Sequence, residues 1–382
     1  MGVSNLEDTR MKTKDRLIES ALESFSERWY ETVSVAEICR NANLSNGVFY
    51  RYFKDKEEIF KEILDIFLKD LSENLEHIKG ESVVQRLDYL FNAIVNSGVK
   101  FKRMVSVYRE GQYRFHEYEK KLADIYKKGL SEVFKKDISE AEYLFGTCGI
   151  RFLSIRSLYK HLVLDDKILL QGEKMVLNGI FNSQVNDFEK IFDFDPKQLE
   201  TAQETTSREK LISAGMELFG EYGYYNVNVY DIAKKAGFAV GTFYIYFDSK
   251  EEFMSELIEI INYKTRHFIS QNINHSLNRI EQELQGMYLF LKFFEDKLIY
   301  YQIVREAEFV VNNKVKDYYD NFEKGYLKNL NDVKDYDHSV IANFLMGISH
   351  YLGIETLFSR SAEDKKSIIK ELGTLLYSGM EK

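Results

Sequence analysis

The sequence contains one segment twice, and this internal repeat constrains the fold more than any other feature. Residues 14–64 align with residues 208–258 without a gap, with about 19 identities over roughly 51 positions. Weaker matches follow downstream, between Val107–Glu110 and Ile303–Glu306 and between Lys128–Gly129 and Lys324–Gly325. We therefore expect two successive copies of one unit, each with a well-matched beginning and a divergent remainder.

Proline scarcity indicates the fold class. The only proline among 382 residues is Pro196, and short alternating strand patterns are absent, so little interrupts helices. We predict an all-α chain in which each copy is a helix-turn-helix bundle followed by a helical body for ligand binding and dimerisation. The predicted domains are 10–64 and 65–192 for copy 1, a polar linker at 193–206, and 207–258 and 259–382 for copy 2.

Composition narrows the function classes. The net charge of −9 does not exclude DNA, because it averages a small basic surface over an acidic body. Cys39 and Cys148 form no disulfide framework, the polar N-terminus lacks a signal core, and no run of about 18 apolar residues is present. We therefore expect a cytoplasmic protein. We find no catalytic motif, metal-ligand spacing or cofactor motif, and expect no enzyme, metal or cofactor.

Helix-start signals recur in both copies. An apolar spacing indicates a first helix over 10–28, Ser34 opens a second, Ser45 caps a third over 46–53, and Asp55 begins a fourth. Copy 2 repeats the signals at Asn228–Asp231 and Ser249–Glu252. Two short capped helices joined by a short turn predict a helix-turn-helix.

The third helix separates two faces. Phe49, Tyr52 and Phe53 share helical spacing and should face the core, whereas Asn46, Gly47, Tyr50 and Arg51 should face a major groove. Asn suits adenine, Arg suits guanine, and a tyrosine hydroxyl reaches phosphate. The predicted DNA-binding residues are Ser34, Ser45, Asn46, Gly47, Tyr50, Arg51, Lys56, Asn228, Val240, Gly241, Thr242, Tyr244 and Lys250. The mostly apolar face of copy 2 either contacts thymine methyl groups or retains only phosphate contacts.

These residues resemble the N-terminal signature of the TetR/AcrR family of bacterial repressors. The matching positions are Val33–Val35, Ile38, Ala42, Gly47, Tyr50, Tyr52, Phe53 and Lys56–Glu58, and in copy 2 Val227–Ala233, Ala236–Gly237, Gly241–Thr242, Tyr244, Tyr246, Phe247 and Lys250–Glu252. Copy 1 departs from the pattern at Trp29 and Asn43, where the family usually has glycine. The resemblance implies tandem all-α units of about nine helices, double-stranded DNA as partner, and a small-molecule effector held in the body.

The bodies carry aromatic stripes at helical spacing, which line an effector pocket or simply form the core. The candidate ligand-binding residues are Phe101, Tyr108, Phe152, Phe293, Tyr301 and Phe344, and the candidate polar anchors are Arg103, Arg109, His116, Arg151, Arg156 and His350. By the resemblance, the last helices of each body form a dimer interface, predicted at 140–162 with 173–192 and at 339–358 with 362–377. The copies either pair within one chain, which the short tether favours, or each pairs with another chain.

The leading hypothesis is a ligand-released repressor with two unlike heads on half-sites roughly 34–36 Å apart. The alternative is a ligand-binding sensor or scaffold in which one or both heads have lost DNA binding.

Overall fold

The computed structural model describes residues 2–100, 102–160, 164–199, 206–358 and 364–381. Its described part consists of helices joined by loops and has no strand. Phe101, the last two residues of the predicted segment 140–162, the predicted linker residues 200–205 and the first two residues of the predicted segment 362–377 lie outside the described residues. The chain forms two compact units, Met1–Val133 and Phe134–Lys382, so the second unit begins within the predicted body of copy 1.

The first unit holds the head of copy 1 and the first helices of its body. Its helices are α1 (Gly2–Glu27), α2 (Val35–Asn41), α3 (Asn46–Phe49), α4 (Lys56–Leu75), α5 (Val83–Lys100), α6 (Lys102–Arg114) and α7 (His116–Phe134). Helices α1, α2 and α3 form the head, and α4 and α6 pack together behind it.

The second unit holds the last helices of copy 1 and the whole of copy 2. The helices from copy 1 are α8 (Glu140–Tyr143), α9 (Gly149–Lys160), α10 (Asp166–Asn178) and α11 (Glu189–Phe192), with a π-helical turn at Leu144–Cys148. Copy 2 supplies α12 (Ser207–Tyr222), α13 (Val229–Lys235), α14 (Val240–Tyr246), α15 (Lys250–Asn272), α16 (Arg279–Glu295), α17 (Leu298–Val310), α18 (Asn312–Asn329), α19 (His338–Gly353) and α20 (Lys365–Ser378), with a π-helical turn at Ile354–Phe358.

Most predicted helix starts have the expected caps. Ser34 accepts a hydrogen bond from the amide of Glu37 at 3.2 Å, and Asp55 and Ser249 cap α4 and α15 in the same way. Asn228 forms a reciprocal capping box with Asp231. The predicted cap at Ser45 is wrong, because its hydroxyl accepts no hydrogen bond from α3, although its extended backbone fits a helix start.

The third helix of copy 1 is shorter than the predicted 46–53. It ends at Phe49, and the chain continues through tight turns in which the amide of Arg51 bonds the carbonyl of Val48 and that of Tyr52 bonds Phe49. The corresponding helix of copy 2 is regular from Val240 to Tyr246. The two copies therefore present their outer faces on different backbones.

The late helices of both copies pack together inside the second unit, with α9 on α19 and α10 on α20. Gly149 permits this approach, since a Cβ there would lie only 2.3 Å from the ring of Phe344. Gly347 does the same opposite the carbonyl of Cys148. Two helices from each copy thus share one apolar core. The segment His338–Phe358 is apolar and long enough to span a membrane, but 78% of its 18-residue apolar window is buried within the structure.

Candidate nucleic-acid interface

The head of copy 1 presents the outer side of its third helix to solvent. Phe49 and Phe53 are buried and anchor the segment in the core. Tyr52, predicted to be fully in the core, is only half-buried. Tyr50 is 60% exposed, and Asn46, Gly47 and Arg51 are exposed on the opposite side, as are Ser34 and Ser45. The predicted division into a core face and an outer face is therefore present.

The head of copy 2 has the same division with different chemistry. Phe243 and Phe247 are buried, whereas Tyr244 and Ile245 are 54% and 75% exposed. Gly241 and Asn228 are exposed, and Val240 and Thr242 are half-buried. Tyr230 and Tyr246, which the sequence did not single out as contacts, are exposed beside them. This outer face is rich in apolar and aromatic surface that the head leaves open to solvent.

The turn between the second and third helices has a left-handed residue in each copy. Asn43 adopts φ of 54° and Gly237 adopts φ of 83°. Glycine takes this conformation freely, and asparagine is among the few other residues that tolerate it. The departure of copy 1 from the family pattern at this position therefore leaves the turn geometry intact.

Gly47 and Gly241 lie near the start of the third helices with open space around them. A Cβ at Gly47 would meet nothing closer than the Ser45 hydroxyl at 4.0 Å, and a Cβ at Gly241 would meet nothing within 4 Å. Neither residue has a positive φ. The fold does not require glycine here, which supports a requirement for close approach by an external molecule.

Lys56 and Lys250, predicted to contact phosphate, bind inside their own heads. Nζ of Lys56 donates to the carbonyls of Tyr30 and Val33 at 2.6 and 2.9 Å and lies 4.1 Å from the Tyr30 ring centre. Nζ of Lys250 repeats the arrangement on Tyr224. Burial lowers the pKa of both ammonium groups. Their phosphate contact stays a prediction, and their contacts within the heads were not anticipated.

In each copy, a glutamate of the body accepts a hydrogen bond from the loop that follows the first helix of the head. Glu110 on α6 accepts a hydrogen bond from the amide of Tyr30 at 2.9 Å, and Glu306 on α17 accepts one from the amide of Tyr224 at 2.8 Å. The head–body clasp consists of this glutamate, the tyrosine and the lysine that binds the tyrosine carbonyl. The sequence signalled it only through the repeated match around Glu110 and Glu306.

Trp29 and Gly223 occupy equivalent positions, each directly before the tyrosine of the clasp, and they differ in backbone conformation. Gly223 has φ of 79°, and a Cβ there would lie 3.2 Å from a carboxylate oxygen of Glu306. Trp29 instead has extended backbone, and its buried ring contacts Tyr113 and the guanidinium of Arg114. Copy 1 thus has a tryptophan packed against α6 where copy 2 has a glycine with positive φ.

A cavity within the body of copy 2 has a volume of about 550 Å³. Of the six candidate ligand-binding residues, Tyr301 lines it, and His350 does so among the candidate anchors. Tyr108, Phe152, Phe293 and Phe344 are buried and do not line this cavity, so their part in ligand binding stays a prediction. Arg305, which the sequence did not select, lines the wall beside Tyr301.

The cysteines and acidic groups suggest no other chemistry. Cys39 and Cys148 are buried and are not joined in a disulfide, and burial raises the pKa of Cys39. Among the described residues, no three His, Cys, Asp or Glu side chains cluster as a metal site. The exposed outer faces and the cavity are therefore the features that function has to explain.

Comparison with known proteins identifies both heads. The model of the family "Bacterial regulatory proteins, tetR family" matches residues 17–63 and again residues 211–257. The chain is 28% identical over 188 residues to the uncharacterized HTH-type transcriptional regulator YdgC of Bacillus subtilis, covering 46% of this chain and 92% of that protein. It is 30% identical over 109 residues to YvdT of the same organism, covering 28% of this chain and 47% of that regulator.

Two solved structures also align with about half of the chain. The fatty acid degradation regulator FadR from Bacillus halodurans aligns with 47% of this chain and 98% of its own, with 19% identity and a TM-score of 0.38. FadR from Bacillus subtilis, determined in complex with stearoyl-CoA, aligns with 45% of this chain and 99% of its own, with 19% identity and a TM-score of 0.36.

Proposed function

We propose that this chain, a tetR-family DNA-binding transcriptional regulator with two heads, represses transcription by binding one operator with unlike half-sites. The observation that carries this proposal is the pair of exposed outer faces, which have the same position and different side chains. A homodimeric repressor presents two identical faces and reads a palindrome. Two different faces on one chain predict an asymmetric operator.

The head of copy 1 has the chemistry for reading base edges. We assign Arg51 to a guanine and Asn46 to an adenine, because these side chains form paired hydrogen bonds with those bases in the major groove. We assign the hydroxyl of Tyr50 to a phosphate, which fixes register without specifying sequence. All three side chains are exposed on one side of the head.

The head of copy 2 favours a half-site rich in A·T pairs. Ile245 is the most exposed large apolar residue of the head, and Val240 lies on the same helix. Apolar side chains in the major groove contact the methyl group of thymine. Tyr244 supplies a phosphate contact equivalent to that of Tyr50. The half-site of copy 2 is therefore read by methyl contacts rather than by paired hydrogen bonds.

We further propose that one chain replaces the usual dimer. The packing of α9 and α10 on α19 and α20 supplies two helices from each copy to one bundle. Arg156 of α9 is fully buried and bonds Asn343 of α19 at 3.1 Å and Glu323 of α18 at 3.2 Å. Because helices of the two copies already pack together within one chain, we propose that the single chain is the DNA-binding unit.

Effector release is proposed to pass through α17. Tyr301, Val304 and Arg305 of this helix line the cavity, and the next residue, Glu306, holds the head loop through the amide of Tyr224. A ligand that shifts α17 therefore acts on the clasp without an intervening element. Release requires that the ligand bind the displaced helix more tightly than the DNA-bound one.

Selection from a randomised duplex library with the full chain tests the proposal. The expected product is an asymmetric site with one half-site containing specific G·C contacts and one rich in A·T, and binding that weakens steeply with salt. Enrichment of a palindrome, or binding without sequence selectivity, would refute it. The second outcome would favour a sensor whose heads no longer read DNA.

Two substitutions separate register from readout in copy 1. Tyr50→Phe removes only the phosphate-binding hydroxyl, so it should weaken all sequences equally. Arg51→Ala should cost about 1–3 kcal/mol at one base pair and relax selectivity there. Arg103→Ala, an exposed arginine of α6 paired with Glu19, is the control that leaves both properties unchanged. Identical behaviour of the first two variants would overturn the assignment of the face.

A further inference from the structure

The cavity in the body of copy 2 lies among α15, α16, α17, α18 and α19. Its volume of about 550 Å³ lies within the range of small-molecule pockets. Tyr301 and Arg305 approach it from α17, and His350 approaches it from α19. All these elements belong to copy 2, so one copy alone encloses this space.

The repeat shows which substitutions opened the cavity. Ser82 and Asn278 cap equivalent helices, each accepting from the amide three residues later, and this fixes the correspondence between α5 and α16. At the positions of Leu87 and Leu90 in copy 1, copy 2 has Glu283 and Gly286. Both leucines are fully buried, whereas Glu283 and Gly286 line the cavity.

Gly129 of α7 and the equivalent Gly325 of α18 indicate the same difference in packing between the two copies. A Cβ at Gly129 in copy 1 would lie 3.3 Å from Cδ1 of Leu90, whereas a Cβ at the equivalent Gly325 would meet nothing within 4 Å. The neighbouring buried Leu130 is replaced by Tyr326, whose hydroxyl donates to Glu283 at 2.7 Å. Copy 2 has thus exchanged packed leucines for open space and polar groups.

The polar groups of the cavity have a positive excess. Arg266, Arg279 and Arg305 line it, and among the described residues Glu283 is the only carboxylate that does. Glu283 pairs with Arg279 at 2.7 Å, and its other oxygen accepts from Tyr326, so it is fully engaged. Nε of Arg279 is buried without a hydrogen-bond partner among the described residues.

Arg266 is the cation best placed for a ligand. It is half-buried, bonds the Asn262 side chain at 2.6 Å through Nε, and forms no ion pair within the described part of the chain. Its equivalent in copy 1 is Ser72. A half-buried guanidinium in a pocket of this kind favours a carboxylate, which it can bind through two parallel hydrogen bonds.

The walls favour a flat apolar body for the ligand. The aromatic lining residues include Tyr263, Phe290, Tyr301, Tyr319 and Phe322. Aromatic side chains bind planar rings by offset stacking and edge contacts. We propose that the body of copy 2 is a binding site for an aromatic carboxylic acid, with its carboxylate at Arg266 and its ring among these side chains. This inference rests on the proposed function, since it identifies the chemical class of the effector.

Calorimetric titration of the full chain tests the inference with 1-naphthoate and 1-naphthaleneacetate, each compared with its neutral amide. Both carboxylates should bind about tenfold or more tightly than their amides, the difference expected of charge-assisted hydrogen bonds. Arg266→Gln should abolish this preference. Lys264→Gln removes a charge from the same helix outside the cavity lining and should preserve it.

Gly286→Leu restores the residue of copy 1 and should fill the cavity. A Cβ there has only an ordinary contact, 3.9 Å from Cδ1 of Ile273, so the fold has room for the side chain. The variant should keep the thermal stability of the wild type and lose binding of both acids by at least about tenfold. Equal binding of acids and amides, or unchanged binding by a folded Gly286→Leu variant, would overturn the inference.

A parallel measurement keeps this result distinct from the proposed function. DNA binding by the chain without ligand is determined on the selected duplex. Acid-selective binding in a chain that fails to bind DNA would refute the regulator proposal alone. Sequence-selective DNA binding in a chain that shows no preference for the acids would refute the ligand class alone.

Discussion

The substitution Arg156→Met should destabilise the second unit more than any surface change. Arg156 is fully buried, and its guanidinium bonds Asn343, Glu323 and Asp320. The side chain of Glu323 is only 8% exposed. Methionine has a similar length but no charge, so it removes the cation while filling most of the space.

The expected loss in the free energy of unfolding follows from the carboxylates that remain when the Arg156 guanidinium is removed. Without the guanidinium, the buried carboxylate of Glu323 stays close to the partly exposed carboxylate of Asp320, and breaking a buried ion pair in this way costs about 3–5 kcal/mol. For a unit of this size each kcal/mol corresponds to roughly 2–4 °C, so the melting temperature should fall by about 6–20 °C. Arg103→Met is the control, because its exposed pair with Glu19 should contribute less than about 1 kcal/mol.

Differential scanning calorimetry of the full chain is the appropriate assay. All partners of Arg156 belong to the second unit, so only the transition of that unit should shift. Adding Glu323→Gln to Arg156→Met should restore part of the loss, because it removes one of the two neighbouring negative charges. A loss no larger than that of Arg103→Met would refute the reasoning, and with it the claim that this cluster fixes the bundle between the copies.

Three further predictions concern the heads and their clasps. Gly47→Ala and Gly241→Ala should each leave stability equal or higher, by up to about 1 kcal/mol, yet weaken DNA binding, and a variant that binds DNA normally would contradict the close approach. Burial raises the pKa of Glu110 to about 7, with the Tyr30 amide and Arg114 opposing the rise. The pKa of Glu110 is therefore higher in the folded state than in the unfolded state, so its protonated form stabilises the fold. This contribution is fully present below about pH 4.5 and is lost as pH rises to about 7. Glu110→Gln should remove on the order of 3 kcal/mol of pH dependence from the free energy of unfolding measured in urea. Glu306→Leu, which has no side-chain acceptor for the Tyr224 amide, should leave 1-naphthaleneacetate affinity unchanged in calorimetry but reduce ligand-induced release from DNA in a gel shift, and full release would exclude the clasp as the coupling element.

The heads were largely predictable because short-range interactions build them. Asn228 and Asp55 begin helices through bonds to amides three residues away, and the spacing of Phe49 and Phe53 alone assigns them to the core. The sequence was less informative at the start of the third helix of copy 1, where a helix start with a side-chain cap and one without it are close in energy. Ser45 has the right backbone for a cap but makes no side-chain bond, and the helix after it ends early.

The candidate ligand site could be predicted only in part from the sequence. Phe152, Phe293 and Phe344 are buried aromatic residues, as is Tyr301, yet of these four only Tyr301 lines the cavity described in copy 2. An apolar stripe records that a side chain is buried and does not record whether the space opposite is filled. Arg266 had no sequence signal, because an arginine on a helix is usually a solvated residue.

The sequence by itself determined most helix starts and caps of the heads, the duplication of the head and the unlike chemistry of its two outer faces. Each of these depends on residues a few positions apart, where hydrogen bonds to nearby amides and helical periodicity leave little choice. The tertiary structure decided that Lys56 binds carbonyls within its own head, that a leucine-to-glycine exchange opened one body, and that Arg156 reaches an asparagine 187 positions away. Such contacts depend on how distant helices pack, and no local pattern records that packing.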